Sequence, residues 1–342
     1  GMAGRLRLAA TGVQDEWLTG EPQFSYFLSN FRRHSKFAFD YIESQFDGDI
    51  DFDKTVICTI PGDKGDLVKN MTLKVTLSDP KPDDGDENDM VWAASIITHM
   101  IDYAELIIGG QPIERITGEY IYMHQQLHSI DPNDTFADAA ASINKFSLDT
   151  EFVYVADIER DFLMSRPLDY VITQVQMSKF VMKPGETKRS VMLNFQHPVK
   201  ELLFVSQNEL AYLANVPNYY NSIVNAELRF NNEVVFSRDG LFLEYEQAFK
   251  HHVNTPSSLV RTTQTFNGTL PILGPSKFGT YSFALYPESP HPTGQVNMSR
   301  ISHKMFTIEI TPINSVYENV TRIYAINYNI LRIESGLAGL KF

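Results

Sequence analysis

The sequence is nearly without cysteine. Cys58 is the only one in 342 residues, which excludes an intrachain disulfide and a cysteine-rich metal site. Its flanks, Val-Ile-Cys-Thr-Ile, read as a strand with the thiol buried as a structural side chain. A lone thiol of that kind points to a reducing compartment. Long apolar runs are missing too, and none approaches the roughly 18 residues that a membrane-spanning helix needs. No cleavable signal sequence follows Gly1-Met2, which reads as a cloning remnant before a natural start at Met2. Positive charge is scarce: 29 Lys and Arg face 42 Asp and Glu, a net charge of −13. That balance argues against a general nucleic-acid coat, which needs an excess of cations on one face.

Catalytic patterns are also absent. There is no G-x-S-x-G elbow, Walker loop, G-x-G-x-x-G or HExxH spacing, and "GDKGDLVK" has the wrong spacing for a phosphate cradle. Asp47, Asp49, Asp51 and Asp53 alternate in "FDGDIDFD" and would share one face of a strand. An EF-hand loop counted from Asp47 would need Gly and Glu where Phe52 and Cys58 stand, so the expectation is a solvated acidic strand. His251-His252 reads as a pair of helix-end cations and His197 as a packed histidine. The six carboxylates between Asp79 and Asp89 form a surface loop that cannot hold the fixed separation of glycosidic chemistry. Asn70, Asn133, Asn267, Asn297 and Asn319 begin N-x-S/T triplets that read as chance matches. No catalytic, cofactor-binding or metal-ligating residue is assigned, and neither a cofactor nor a small-molecule substrate is expected.

What the chain does contain is apolar and aromatic material for sheets. It is 43% hydrophobic, with 23 Phe and 16 Tyr, and its 17 Pro and 19 Gly are spread along the length. That suits many short strands joined by turns, and the length suits about two domains. "NMTLKVTL" alternates as a strand with one wet face. "YAELIIGGQPIERI" reads as a hairpin turning at Gly109-Gly110, and "AELRFNNEVVF" as one turning at Asn231-Asn232. Residues 118–130 read as a helix with Tyr120, Met123, His124 and Leu127 on one side. Residues 129–150 read as a loop with one helical turn around Phe136–Ala141, and "FVYV" (Phe152–Val155) as a strand. "SVMLNF", "ELLFVS" and "MFTIEI" read as further strands. "TYSFALYP" is expected to place Tyr281, Phe283 and Leu285 on one face, and "LFLEYEQAF" to form a short helix. "RIYAINYNILRI", apolar on both faces, reads as a central strand. The sum is an all-β chain of two antiparallel sandwiches in tandem, with the boundary at "RPLDY" (Arg166–Tyr170).

One block stands apart. Phe24, Phe27, Leu28 and Phe31 fall at helical spacing. Arg32, Arg33 and His34 follow where cations suit the helix dipole, then Lys36, and a period-two strand begins at Phe37. Three readings fit the block: a solvated helix cap, an interface anchor, or contact with nucleic acid or a membrane surface. The residues alone do not separate the first two. The interface candidates are Phe24, Phe27, Phe31, Arg32, Arg33, His34 and Lys36.

The same stretch resembles a known family. "AATGVQDEWLTGEPQFSYFLSNFRRHSKFAFDYIES" is similar to the opening of the major capsid proteins of nucleocytoplasmic large DNA viruses, through Ala10, Gly12, Gln14, Asp15, Leu18, Thr19, Gly20, Pro22, Gln23, Arg32, Arg33, His34, Phe37 and Ala38. In family order there follow "AELIIGGQPIERITGEY", "LDYVITQVQ", "LNFQHPVKELLFVSQN", "YSFALYPESPHPTGQVNMSRI" and "IYAINYNILRIESGLAGL". The resemblance covers nearly the whole chain. It implies a double jelly roll: an N-terminal arm over 1–23, a first roll over 24–165 and a second over 166–342. It implies a homotrimer of pseudo-hexagonal outline, tiling an icosahedral virion shell with neighbouring capsomers and minor capsid proteins. The shell would be assembled in the host cytoplasm near an internal viral membrane, with no catalysis and no direct nucleic-acid contact. In this setting the basic-aromatic block becomes a candidate contact to acidic neighbouring subunits. One departure stands out: residues 129–150 replace a long family stretch carrying two strands, so the first roll is expected to be reduced. A minor capsid or scaffolding paralogue and a shortened gene product stay open. From another class, so does a jelly-roll glycan-binding attachment module.

Overall fold

The structure is a computed structural model that describes residues 33–78, 96–128, 143–213, 219–255 and 278–342, with isolated positions before residue 33. In the first half, β1 (Phe37–Gln45) and β2 (Leu67–Leu77) are followed by the short helix α1 (Ile96–Met100). The hairpin β3 (Tyr103–Ile108) and β4 (Gln111–Thr117) turns at Gly109 and Gly110, which both have positive φ (59° and 82°), as the expected two-residue turn requires. Helix α2 (Gly118–His128) begins at once. Its first residue must be glycine, because a Cβ there would sit 1.9 Å from the Thr98 carbonyl oxygen of α1.

β5 (Ile143–Val155) then runs antiparallel between β1 and β2, and helix α3 (Asp157–Met164) closes this half. β5 corrects the expectation of a loop up to residue 150. Its polar residues hid a central strand because their charges are met across the sheet: Lys145 by Glu43 at 2.6 Å, Asp149 by Lys74 at 2.8 Å and Glu151 by Lys69 at 3.1 Å. The helical turn expected around Phe136–Ala141 lies outside the described residues, as does the acidic loop Asp79–Asp89.

The second half is a fuller sandwich. Its strands are β6 (Leu168–Met182), β7 (Lys188–Met192), β8 (Pro198–Asn208), β9 (Ser222–Phe230), β10 (Glu233–Asp239), β11 (Gly279–Ser282), β12 (Val296–Asn297), β13 (Lys304–Thr311), β14 (Asn319–Glu334) and β15 (Leu337–Leu340). Short helix α4 (Glu209–Leu213) follows β8, and a π-helical turn (Phe242–Glu246) runs into α5 (Gln247–His251). One sheet has the order β10-β9-β13-β7. The other has β14 between β8 and β6, with β11 beyond β8 and with β12 and β15 pairing the ends of β8 and β14. The Asn231-Asn232 turn forms as expected, with φ of 48° and 74°. Phe306, Ile308 and Ile310 of β13 point inward as their alternation demands. They meet Leu202, Phe204, Leu228, Ile323 and Ala325 in a core buried between the sheets, where the Phe204 and Phe306 rings lie edge to face at 5.2 Å.

β14 is apolar on both faces for a physical reason. Ile323 and Ala325 serve that inner core, while Tyr324 and Ile326 serve a second one. There Tyr122, Met123 and Leu127 of α2 pack against Leu203, Val205, Tyr220, Ala248, Phe278, Tyr324 and Ile326. A helix from the first half thus covers the outer face of the second half's larger sheet.

Four further expectations need correction. Around Cys58 only a single bridge forms, between Ile57 and Asp47, and the thiol is half-buried rather than enclosed. Asp47, Asp49, Asp51 and Asp53 are exposed, but on bends and turns with positive φ at Gly48 and Asp53, so no strand aligns them. His197 is half-buried with a φ of 64°, a left-handed corner before Pro198 rather than a packed side chain. β11 stops at Ser282: the amides of Phe283 and Ala284 both donate to the Lys200 carbonyl, the chain turns, and Leu285 ends 66% exposed.

Candidate assembly surfaces

Of the seven interface candidates, Phe24, Phe31 and Arg32 lie outside the described residues, as does most of the expected helix. Phe27 is 95% exposed, and Arg33, His34 and Lys36 are exposed ahead of β1. The His34 ring lies 5.7 Å from that of Phe37, with its Nδ1 2.7 Å from the Ser35 carbonyl oxygen. These cations therefore stand beside the aromatic row that opens the expected strand.

That row is Phe37, Phe39 and Tyr41 of β1, all substantially exposed. Period two puts them on one face, and β1 pairs only with β5 among the described strands. The Phe37 and Phe39 rings pack edge to face at 5.2 Å, and the Lys69 ammonium sits 4.5 Å from the centre of the Phe39 ring. Glu151 anchors the far end, taking bonds from Asn70 (2.9 Å), Lys69 (3.1 Å) and the Tyr41 hydroxyl (3.3 Å). The Asn70 amide and the Lys69 ammonium hold its carboxyl below the usual range.

Helix α3 presents a second exposed apolar surface. It buries none of its residues, and Ile158 and Met164 are 87% and 79% exposed. Phe162 carries the Arg166 guanidinium 3.9 Å above its ring. Arg160 pins the helix to the start of β2 through a two-pronged contact with Asp66, at 2.7 and 3.3 Å. The i, i+4 spacing of Ile158 and Phe162 signalled this helix, but its short length hid it.

The seam between the halves is polar at both ends of α2. Arg322 of β14 forks onto Glu119, and the Tyr324 hydroxyl donates to the same carboxylate at 2.6 Å. Gln174 of β6 donates to the Ile113 carbonyl at 2.7 Å, and the Val175 amide donates to Glu114 at 3.1 Å. Burial pushes the Glu114 carboxyl up to about 7, partly offset by the amides of Val175 and Arg115. At the other end, His251 and His252 close α5 as expected, but His252 is not open to solvent. Its side chain is only 1% exposed and lies between Glu201 and Glu288.

Among the described residues no cluster of three or more His, Cys, Asp or Glu side chains could hold a metal ion, and no helix is long and apolar enough to cross a membrane. Asn319 is fully buried, whereas Asn70 and Asn297 are exposed; Asn133 and Asn267 lie outside the described residues.

The chain is mostly strand, in several antiparallel sheets with a few short helices, and shares the double jelly-roll fold of solved capsid proteins. Residues 159–339 match the large eukaryotic DNA virus major capsid protein family, and residues 25–154 match the major capsid protein N-terminus. The chain belongs to the large eukaryotic DNA virus major capsid protein family. It is 27% identical over 411 residues to the major capsid protein of Pyramimonas orientalis virus, covering 99% of each chain. It is 24% identical over 447 residues to that of Paramecium bursaria Chlorella virus 1, covering all of both. Among solved structures, the PBCV-1 capsid protein superposes with a TM-score of 0.73 at 18% identity over 93% of this chain and 100% of that one. The Faustovirus major capsid protein does so at 0.69 and 9% identity, over 95% and 94%.

Proposed function

We propose that the chain is a shell-building major capsid protein without catalytic activity, working as a homotrimer of pseudo-hexagonal outline. The observation that carries this is the apolar face of β1 and α3, left open on a capsid fold beside Arg33, His34 and Lys36. Apolar area of this kind drives association, and the flanking cations suit contact with other copies of a chain whose net charge is −13. In this reading residues 1–23 are an arm, 24–165 the first roll and 166–342 the second. The trimers tile an icosahedral shell with neighbouring capsomers and minor capsid proteins, over an internal membrane, in the host cytoplasm.

Native mass measurement and negative-stain imaging of the purified chain test it. The expected result is a trimer with a six-sided outline, lost or weakened in the double variant Arg32→Glu, Arg33→Glu. A stable monomer would sink the proposal, and normal trimers and shells from the variant would remove the basic block from the interface. A second reading, a minor capsid paralogue, rests on chain length. The alignment with the Pyramimonas orientalis virus protein runs to 411 positions against 342 residues here, so that relative carries segments this chain lacks. Copy number in purified virions separates the two readings.

A further inference from the structure

At the C-terminal end of α2, a buried imidazole is held between two carboxylates. The Nδ1 of His252 lies 3.0 Å from Glu288 Oε1, and its Nε2 lies 3.1 Å from Glu201 Oε2. The second is a close charged contact, and neither of its two atoms has another partner among the described residues. This geometry fixes the charge state. A neutral ring bonded to Glu288 through Nδ1–H would turn the Nε2 lone pair onto a buried carboxylate at 3.1 Å, which is repulsive. With Glu201, despite its burial, held below the usual carboxylate range by His252 and so ionised, only the doubly protonated ring is attracted to both.

The triad joins several parts of the fold. Glu201 belongs to β8, His252 follows α5, and Glu288 lies in the connection between β11 and β12. Glu288 also accepts from the Val253 amide at 3.1 Å and stands 3.8 Å from His128 of α2, while the Asn254 amide donates to the Leu127 carbonyl at 3.0 Å. The other groups facing the site are Tyr120, His124 and His128 from α2, Lys200 from β8, His251 from the same turn, and Tyr328 from β14. His124 stacks on His128 at 3.7 Å, and Lys200 donates to the Pro287 carbonyl at 2.6 Å.

We infer that Glu201, His252 and Glu288 form a proton-dependent latch that clamps the end of α2 and the β11–β12 connection onto the second sandwich. It holds while His252 carries its charge and loosens as that proton leaves. Burial opposes the charge, but the Glu201 and Glu288 carboxylates outweigh it and raise the imidazole above its ordinary range. A base raised in the folded state contributes stability that is fully present below its ordinary value near 6.5. That stability is lost as pH rises through the raised one. The latch therefore opens as pH rises above the ordinary imidazole value, by up to about tenfold per pH unit across the interval between the two values.

Hydrogen exchange of the purified full chain, read by mass spectrometry from about pH 6 to pH 9.5 and corrected for intrinsic rates, tests this. Peptides over residues 118–128, 248–255 and 283–290 should lose protection severalfold as pH rises, while β13 stays unchanged. In His252→Gln the same peptides should be weakly protected at every pH. Flat protection in the wild-type protein, or an unchanged pH response in the variant, overturns the latch. Should the variant not fold, NMR titration of the wild-type His252 ring decides, and a pKa at or below 6.5 overturns it.

Discussion

Glu119 and Arg322 stand 203 positions apart and form one two-pronged ion pair, with the Tyr324 hydroxyl closing on the same carboxylate. Both side chains are less than a fifth exposed. The pair fixes where α2 crosses β14, and hence how the two halves meet. Removing one partner strands the other charge in a poorly hydrated seam, which costs about 3 kcal/mol. Glu119→Ala and Arg322→Ala should each lower stability by roughly that amount in urea unfolding. Replacing both by Met should recover much of the loss. Equal losses for the double variant and the sum of the singles would mean that the two residues do not act together.

The apolar side of the same helix makes a second prediction. Met123 is completely buried against the larger sheet. Met123→Ala leaves a cavity and should cost about 2–5 kcal/mol, read as a lower thermal midpoint. Ile158→Ala on α3 is the control. That side chain is 87% exposed, so its truncation should stay within about 0.5 kcal/mol in the same measurement.

These two helices show where the sequence was legible and where it was not. The spacing of Tyr120, Met123 and Leu127 announced α2, and the double-sided apolarity of "RIYAINYNILRI" announced a covered strand. Neither showed that the two cover each other, since packing across about 200 positions leaves no local period. The part of β5 ahead of Phe152 was missed because cross-strand ion pairs replaced apolar alternation, the signal that reads a strand. The burial of His252 was not legible because a histidine pair at a helix end carries no local sign of Glu201 arriving from β8 and Glu288 from the β11–β12 connection. The exposure of the row on β1 was not legible for a related reason: alternation tells which residues share a face, not whether that face is covered.

Glu114 gives a pH prediction. Burial raises its carboxyl to about 7, so between about 4.5 and 7 the folded chain binds a proton that the unfolded chain has released. This destabilises the charged form: stability from this group is greatest below about 4.5 and falls as pH rises through 7. Glu114→Gln keeps an acceptor for the Val175 amide and removes the charge. It should stabilise the protein at pH 8 by up to about 3 kcal/mol and have little effect at pH 4.5. Paired urea titrations at the two pH values check this. A variant less stable than wild type at pH 8 would show that the carboxylate is needed there.

The exposed apolar face separates folding from assembly. Phe39 and Ile158 contribute little to the core of a single chain, yet they lie on the surface assigned to subunit contact. Phe39→Ser and Ile158→Asp should therefore leave the far-ultraviolet circular dichroism and the unfolding midpoint of the dilute chain close to wild type, within about 1 kcal/mol. They should shift the association equilibrium by a larger amount, because burying a large apolar side chain is worth about 1.5–3 kcal/mol and burying a lone carboxylate costs more. Sedimentation velocity over a concentration series reads that shift directly. Association at wild-type concentration in both variants would move the subunit contact away from β1 and α3.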